Sequence, residues 1–249
     1  TYIVPCDIPD GVRPLAAIDD DAKAMSAHLI DFLNAEIKAG RMPENLLPLQ
    51  SGVGSVANAV VSGLADSPYS NLTVYTEVIQ DGMFDLIDAG KLGFASGTSL
   101  TPSPDGLKRF YENIATYRDK IVLRPQELSN SPEIARRLGV IAMNTAIEFD
   151  IFGHVNSTHI MGNKMMNGIG GSGDFARNAQ LTIFFTTSTA KGGDISSIVP
   201  MCSHVDSTEH DVDVFITELG VADVRGLSPK ERAKVIIENC AHPDYQQLL

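Results

Sequence analysis

The sequence predicts an α/β protein: an open mixed sheet flanked by helices, with a β-rich portion towards the C-terminus. Strand-like and helix-like segments mostly alternate before residue 140, as when helices are laid on a sheet. Beyond that point strand-like segments dominate. The most telling stretch is Leu72-Thr-Val-Tyr-Thr-Glu-Val-Ile79, rich in β-branched and aromatic residues and read as a buried strand. It passes through Gln80-Asp81-Gly82 into a short helix from Met83 to Ala89, with Gly90 as its cap. Open α/β sheets place reactive groups at such strand-to-helix junctions, and this one carries a carboxylate, Glu77. The plain alternative is a Glu77 solvated at the strand's exit or paired with a lysine.

The remaining elements follow in order. Residues 1–20, rich in Pro and Asp, read as a connector, and residues 21–249 as the domain proper. Asp20 or Asp21 is expected to cap a helix from Ala22 to Ala39, with Met25, Leu29, Phe32, Leu33 and Ile37 at helical spacing and Gly40 as its stop. Leu46–Leu49 reads as a short strand leading through Gly52-Val-Gly-Ser-Val-Ala57 into a helix to Leu64. After the strand at 72–79 and its helix, Leu92–Ala95 and Ile121–Leu123 read as strands. Asn130-Ser-Pro-Glu133 has the form of a cap with Pro in the first turn, opening a helix to Leu138. Ile141 to Ile151 alternates apolar and polar residues and reads as one strand; further strands are expected at 181–186, 195–199 and 212–217. Ser228-Pro-Lys-Glu231 is a capping box opening a helix to Cys240.

Composition narrows the function classes. Across 249 residues the formal net charge is -12, which argues against a nucleic-acid surface. No apolar run reaches the ~18 residues that span a bilayer. Cys6, Cys202 and Cys240 are widely spaced and fit a reducing compartment, not a disulfide scaffold or cysteine-rich zinc site. His154, His159, His204 and His210 show no metal-ligand spacing; His204-Val-Asp206 and Glu209-His210-Asp211 read as loop contacts, and no metal is expected. The chain opens Thr1-Tyr-Ile-Val-Pro, without an initiator Met or signal-like leader, and reads as starting mid-protein.

Three segments carry possible chemistry. Gly52-Val-Gly-Ser-Val-Ala57 follows a strand and opens a helix, so its amides could face an anion; the same pattern occurs in dinucleotide folds and in ordinary tight turns. Asn167-Gly-Ile-Gly-Gly-Ser-Gly-Asp174 could aim successive amides at a ligand oxygen, as an oxyanion hole requires, or could form a hairpin or lid. Phe215-Ile-Thr-Glu218-Leu-Gly220 repeats the Thr-Glu strand ending of Glu77, suggesting paired acids at one sheet edge. Without a sugar-binding aromatic platform, and with no Trp, a glycosidase reading gains no support.

The combination discriminates where single motifs do not. Gln50-Ser-Gly-Val-Gly-Ser-Val-Ala-Asn58, Tyr75-Thr-Glu77-Val-Ile-Gln-Asp-Gly82, Gly170-Gly-Ser-Gly-Asp-Phe175, Thr208-Glu-His-Asp-Val212 and Thr217-Glu-Leu-Gly-Val-Ala-Asp223 occur in that order. Together they resemble the acetyl-CoA hydrolase/transferase family of class I CoA-transferases, in its succinyl-CoA:acetate or propionyl-CoA:succinate branch. The resemblance implies a CoA-transferase-like fold of the NagB/RpiA type and a chain corresponding to the C-terminal of two similar halves.

It further implies CoA transfer between an acyl-CoA (succinyl-, acetyl- or propionyl-CoA) and a short-chain carboxylate, with coenzyme A as co-substrate. Glu77 matches the nucleophile, and Asn130 and Gly171 the oxyanion donors. Gly52, Val53, Gly54, Ser55, Val56, Asn167 and Gly171 match CoA-binding segments, and Glu218 an acidic residue beside the nucleophile. A homodimeric full-length protein, cytoplasmic or, in a eukaryote, mitochondrial, is implied, with the isolated half inactive. Acetyl-CoA hydrolysis and a non-catalytic acyl-CoA-binding module remain alternatives.

Overall fold

Helix α1, Asp20–Lys38, buries Met25, Leu29 and Leu33 along one stripe. The expected cap at Asp20 or Asp21 is corrected to Asp19, whose Oδ1 accepts from the Ala22 N–H at 2.8 Å. Asp20 and Asp21 instead fill the first turn, where their charge complements the helix dipole. The computed structural model describes residues 2–8, 10–12, 14–15 and 17–249. The expected connector includes Thr1, Pro9, Arg13 and Ala16, which lie outside the described residues; its described members before Asp20 form no helix or strand.

Eight strands form the main sheet: β1 Leu49–Ser51, β2 Leu72–Tyr75, β3 Leu92–Gly97, β4 Ile121–Leu123, β5 Ile141–Thr145, β6 Leu181–Phe185, β7 Val214–Thr217 and β8 Gly220–Asp223. They lie in the order β8-β7-β6-β5-β1-β2-β3-β4. Every neighbouring pair is parallel except β7 and β8, which form an antiparallel hairpin at one edge. Chain order runs outward from β1 on one side and from β5 on the other. The switch point between β1 and β5 is where open α/β sheets leave a crevice beyond their carboxyl ends.

Side chains divide between the two faces with the strand period of two. Leu49, Val74, Ile141, Met143 and Ile183 pack on one face with α1, α2 (Ser55–Gly63) and α3 (Asp81–Asp88). Tyr75 and Ala142 turn to the other, against α4 (Pro132–Leu138) and α5 (Ser172–Ala176) through Ala135 and Phe175. Further along that sheet, Phe184 and Phe215 pack with Phe149 and with Ile236 of α6, Pro229–Cys240. With helices on both faces, the polar positions of β5 are drawn inside too: Asn144 is buried.

Several boundaries differ from those expected. The strand read over 72–79 breaks at Thr76-Glu77; Val78–Ile79 pairs with Ser99–Leu100 outside the main sheet. The break is held by the Thr76 hydroxyl, which donates to the Ser51 carbonyl at 3.1 Å. The expected strand at Leu46 begins only at Leu49, since Leu46 turns with φ of 57°. The alternating stretch from Ile141 divides because Ala146 N–H donates to Phe185 while Ile147 N–H donates to Asn156. Its second piece, Glu148–Asp150, joins a small sheet with Val155–Asn156 and Ile198–Val199. Asn130 is not the cap of α4: Ser131 holds that position, and Asn130 ends a separate turn of helix, Gln126–Ser129. No helix among the described residues is long and apolar enough to cross a membrane.

Candidate active site

A cleft of about 510 Å³ opens at the switch point, lined by Ser51 at the end of β1 and Gly52 after it, by Asn144 and Thr145 of β5, and by Glu77. Glu77 is half-buried in the bend after β2. Its backbone is pinned: the carbonyl accepts from Thr98 N–H at 2.7 Å and Ser99 N–H at 3.3 Å. Its side chain is held more lightly, Oε2 accepting one hydrogen bond from Asn130 Nδ2 at 2.9 Å. Asn130 is buried, and its own Oδ1 has no partner among the described residues.

Gly171 closes over this pair. A Cβ there would lie 2.2 Å from Glu77 Oε2 and 2.4 Å from Asn130 Nδ2, closer than any side chain can come. Gly170 before it adopts a φ of 54°, left-handed backbone that favours glycine. Together they let the loop's backbone press against a carboxylate. The Gly171 carbonyl accepts from Phe175 N–H in α5, while its own N–H makes no hydrogen bond among the described residues. The structure thus brings Glu77, Asn130 and Gly171 together.

The other expected residues distribute less evenly. Gly52 and Val53 line the cleft; Gly52 is needed there because a Cβ would meet Asn144 Oδ1 at 2.9 Å. Gly54 caps α2 and donates its N–H to Gln80 Oε1 at 3.3 Å. Ser55 starts the helix, and Val56 packs against the core, so these three do not line the cleft. Asn167 lines it and fixes the loop, donating Nδ2 to the Ser157 carbonyl at 2.8 Å.

Glu218 is not among the residues that line the cleft with Glu77. It follows β7, four strand steps from β2, or about 19 Å at ~4.8 Å per step. There its Oε2 accepts from the Ser188 N–H at 2.8 Å, with the Ser188 hydroxyl donating to Oε1. Local sequence makes the two Thr-Glu endings alike, but strand order separates them.

Sequence reasoning gave no site role to Gln50 and Asn144. Their amides pair reciprocally, Gln50 Nε2 to Asn144 Oδ1 at 3.1 Å and Asn144 Nδ2 to Gln50 Oε1 at 3.0 Å, and both line the cleft. A polar residue within each of two buried strand segments was the available signal. The histidine segments serve as loop contacts, His204 Nε2 lying 3.1 Å from Asp206 Oδ1. Among the described residues no group of His, Cys, Asp or Glu could hold a metal ion.

The fold and site define an α/β protein that presents a half-buried carboxylate, flanked by a glycine and a carboxamide, to a cleft at its switch point. Residues 106–249, more than half of the chain, match the model of the acetyl-CoA hydrolase/transferase C-terminal domain. The chain belongs to the acetyl-CoA hydrolase/transferase family. It is 64% identical over 247 residues to a succinyl-CoA:acetate CoA-transferase of Clostridium kluyveri, covering 99% of this chain and 46% of that protein. It is 55% identical over 251 residues to an acetyl-CoA hydrolase of Neurospora crassa, covering 99% of this chain and 48% of that one. The chain therefore spans about half the length of the curated relatives it matches. Among solved structures, RipA from Yersinia pestis superposes with a TM-score of 0.82 at 27% identity, over 97% of this chain and 54% of that one. A 4-hydroxybutyrate CoA-transferase from Porphyromonas gingivalis shares the fold, with a TM-score of 0.73 at 22% identity over 98% of this chain and 57% of that one.

Proposed function

We propose that the protein carrying this chain transfers coenzyme A between an acyl-CoA and a short-chain carboxylate, with Glu77 as the nucleophile. The observation that supports the reading is the Glu77 carboxylate in the cleft with Asn130 Nδ2 at 2.9 Å and Gly171 against the same oxygen. A carboxylate needs no general base, since its ordinary pKa leaves it ionised at neutral pH. Glu77 attacks the acyl thioester carbonyl, the C–S bond breaks, and a mixed anhydride and CoA thiolate result. The thiolate then attacks the Glu77 carbonyl carbon and expels the free acid, leaving a glutamyl-CoA thioester. An incoming carboxylate reverses both steps and departs with the CoA. No proton changes hands, and the anhydride keeps the acyl group activated without ATP.

Each addition places negative charge on a carbonyl oxygen. The Asn130 Nδ2–H group and the free Gly171 N–H are the donors for it, worth about 3–4 kcal/mol apiece in such roles. To Gly52, Val53 and Asn167, which line the cleft, this reading assigns contact with the thioester's pantetheine arm, with Gly54, Ser55 and Val56 at the helix start behind them. Hydrolysis is the second reading, favoured by the 55% identity to an acetyl-CoA hydrolase: water would take the acceptor's place at the glutamyl carbonyl.

One experiment separates these readings. The full-length protein and its Glu77→Ala variant are given succinyl-CoA with and without labelled acetate. Transfer predicts slow CoA release without acetate, label appearing in acetyl-CoA when it is added, and no exchange in the variant. Fast CoA release that ignores acetate would replace transfer by hydrolysis. Near-normal exchange by Glu77→Ala would remove Glu77 from the chemistry.

A further inference from the structure

The cleft wall beside Glu77 holds a hydrogen-bonding group that this scheme leaves unused. Ser172 lines the cleft, and its Oγ is buried with no partner among the described residues. A buried hydroxyl without a partner costs roughly 1–3 kcal/mol, so such groups in folded proteins call for an explanation. Ser172 is not alone: Thr98 Oγ1, Arg109 Nε, Ser129 Oγ and Asn130 Oδ1 share its condition. Apart from Arg109, each belongs to a residue that contacts Glu77 or is the chain neighbour of one that does. Thr98 N–H holds the Glu77 carbonyl at 2.7 Å, Ser129 precedes the Asn130 that donates to Oε2, and Ser172 follows Gly171. Of the three hydroxyls, Ser172 is the one that lines the cleft.

The charge balance of the reaction says what this hydroxyl meets. Before the first step the negative charge is on Glu77 and the acyl-CoA thioester carbonyl is neutral. Once the glutamyl-CoA thioester has formed, Glu77 is neutral and the charge has moved to the free acid. That acid needs hydrogen-bond donors in a cleft that no lysine or arginine lines among the described residues. Ser172 stands one peptide unit, about 3.8 Å between Cα atoms, from the glycine that presses on the Glu77 carboxylate. We propose that the Ser172 hydroxyl binds the free carboxylate co-substrate, donating its hydrogen to one carboxylate oxygen beside the glutamyl thioester. The inference rests on the reading of Glu77 as nucleophile. The bond forms when the second acid enters, its oxygen attacks the Glu77 carbonyl carbon, and the C–S bond breaks to release CoA thiolate. Ser172 keeps its proton throughout. Its contribution therefore falls on the acceptor and not on the acyl-CoA.

The test uses the full-length protein with succinyl-CoA and acetate as probes. Ser172→Ala is expected to raise the KM for acetate about tenfold or more, as loss of a hydrogen bond to a charged group does. The KM for succinyl-CoA should change by less than about threefold, and Ser172→Thr, which keeps a hydroxyl, should restore the acetate value. Should Ser172→Ala fail to fold, Ser172→Cys, similar in size with a weak donor, carries the same comparison. An acetate KM equal to the wild type's, or equal rises in both KM values, would overturn the inference while leaving Glu77 as nucleophile. Absence of acetate-dependent exchange in the wild type would overturn both.

Discussion

Glu36 and Glu77 are both carboxylates drawn in from solvent, and their surroundings are opposite. Glu36, on α1, is almost fully covered and accepts from two guanidinium groups. Arg41 donates through Nε at 2.9 Å and Nη2 at 2.6 Å, and Arg225 through Nη1 at 3.0 Å and Nη2 at 2.9 Å. These charge-assisted forks leave its oxygens no freedom, and they tie α1 to the β8 end of the sheet. Glu77 has one neutral donor and faces a cleft. A carboxylate locked by two cations makes a poor nucleophile; one oriented by a single amide keeps its lone pairs available. The difference teaches that the chemistry of a Glu in this chain follows from what its oxygens touch more than from its place at an element's end.

The comparison breaks most decisively at Gly171. Gly171→Ala puts a Cβ into the space now shared by Glu77 Oε2 and Asn130 Nδ2. Both are side-chain ends that can move aside, so stability should change little. Displacing the proposed nucleophile and its donor by about an ångström is expected to lower kcat about 10²–10³-fold. Steady-state exchange assays beside a thermal melt check this. Full activity in a well-folded Gly171→Ala would mean that the pressed geometry is not the reactive one.

At Glu36 the same comparison predicts a loss of stability instead. Hydrogen bonds from Arg41 and then Arg225 bring its carboxyl down from 4.5 to about 2. Because the folded value lies below the unfolded one, the stabilisation is complete above about pH 4.5 and is lost as pH falls towards 2. A shift of that size corresponds to about 3 kcal/mol. Glu36→Gln should therefore cost about 3 kcal/mol in urea unfolding at pH 6, with the gap to wild type closing as pH drops below about 4. A gap that stays constant down to pH 3 would show that the Arg clamp contributes through packing alone.

How much of this was legible in the sequence depends on whether the cause was local. The capping box at Ser228 and Glu231 and the stop at Gly90 are local patterns, and both stand in the structure. So does the alternation of strands and helices that predicts the sheet. The cap and first-turn Pro of Asn130-Ser-Pro-Glu133 stand in the structure, but the pattern fits two registers, and only the fold shows Ser131 at the cap and Asn130 reaching Glu77. That Glu77, Asn130 and Gly171 belong together came from the resemblance to a family, since the Gly-rich loop alone left hairpin and oxyanion hole equally open. The Gln50–Asn144 pair joins residues 94 positions apart, and no spacing rule announces it.

Glu218 marks the smallest effect and the sharpest limit of local reading. Its segment, Thr217-Glu218, copies Thr76-Glu77, yet sheet order puts the two endings four strand steps apart. Glu218 ties the end of β7 to the loop after β6 through the Ser188 N–H and hydroxyl. Glu218→Gln keeps an oxygen acceptor for the Ser188 N–H and turns an NH₂ group to the Ser188 hydroxyl, which can accept, so two charge-assisted bonds become neutral ones. The expected cost is about 1 kcal/mol of stability. Because Ser188 and Glu218 do not line the Glu77 cleft, kcat should stay within about threefold of wild type. Measured together, the melt and the exchange assay distinguish a brace from a partner of the nucleophile. A fall in kcat comparable to that of Gly171→Ala, with an unchanged melt, would put Glu218 back beside the chemistry. Strand order would then be a poor guide to which carboxylates act together.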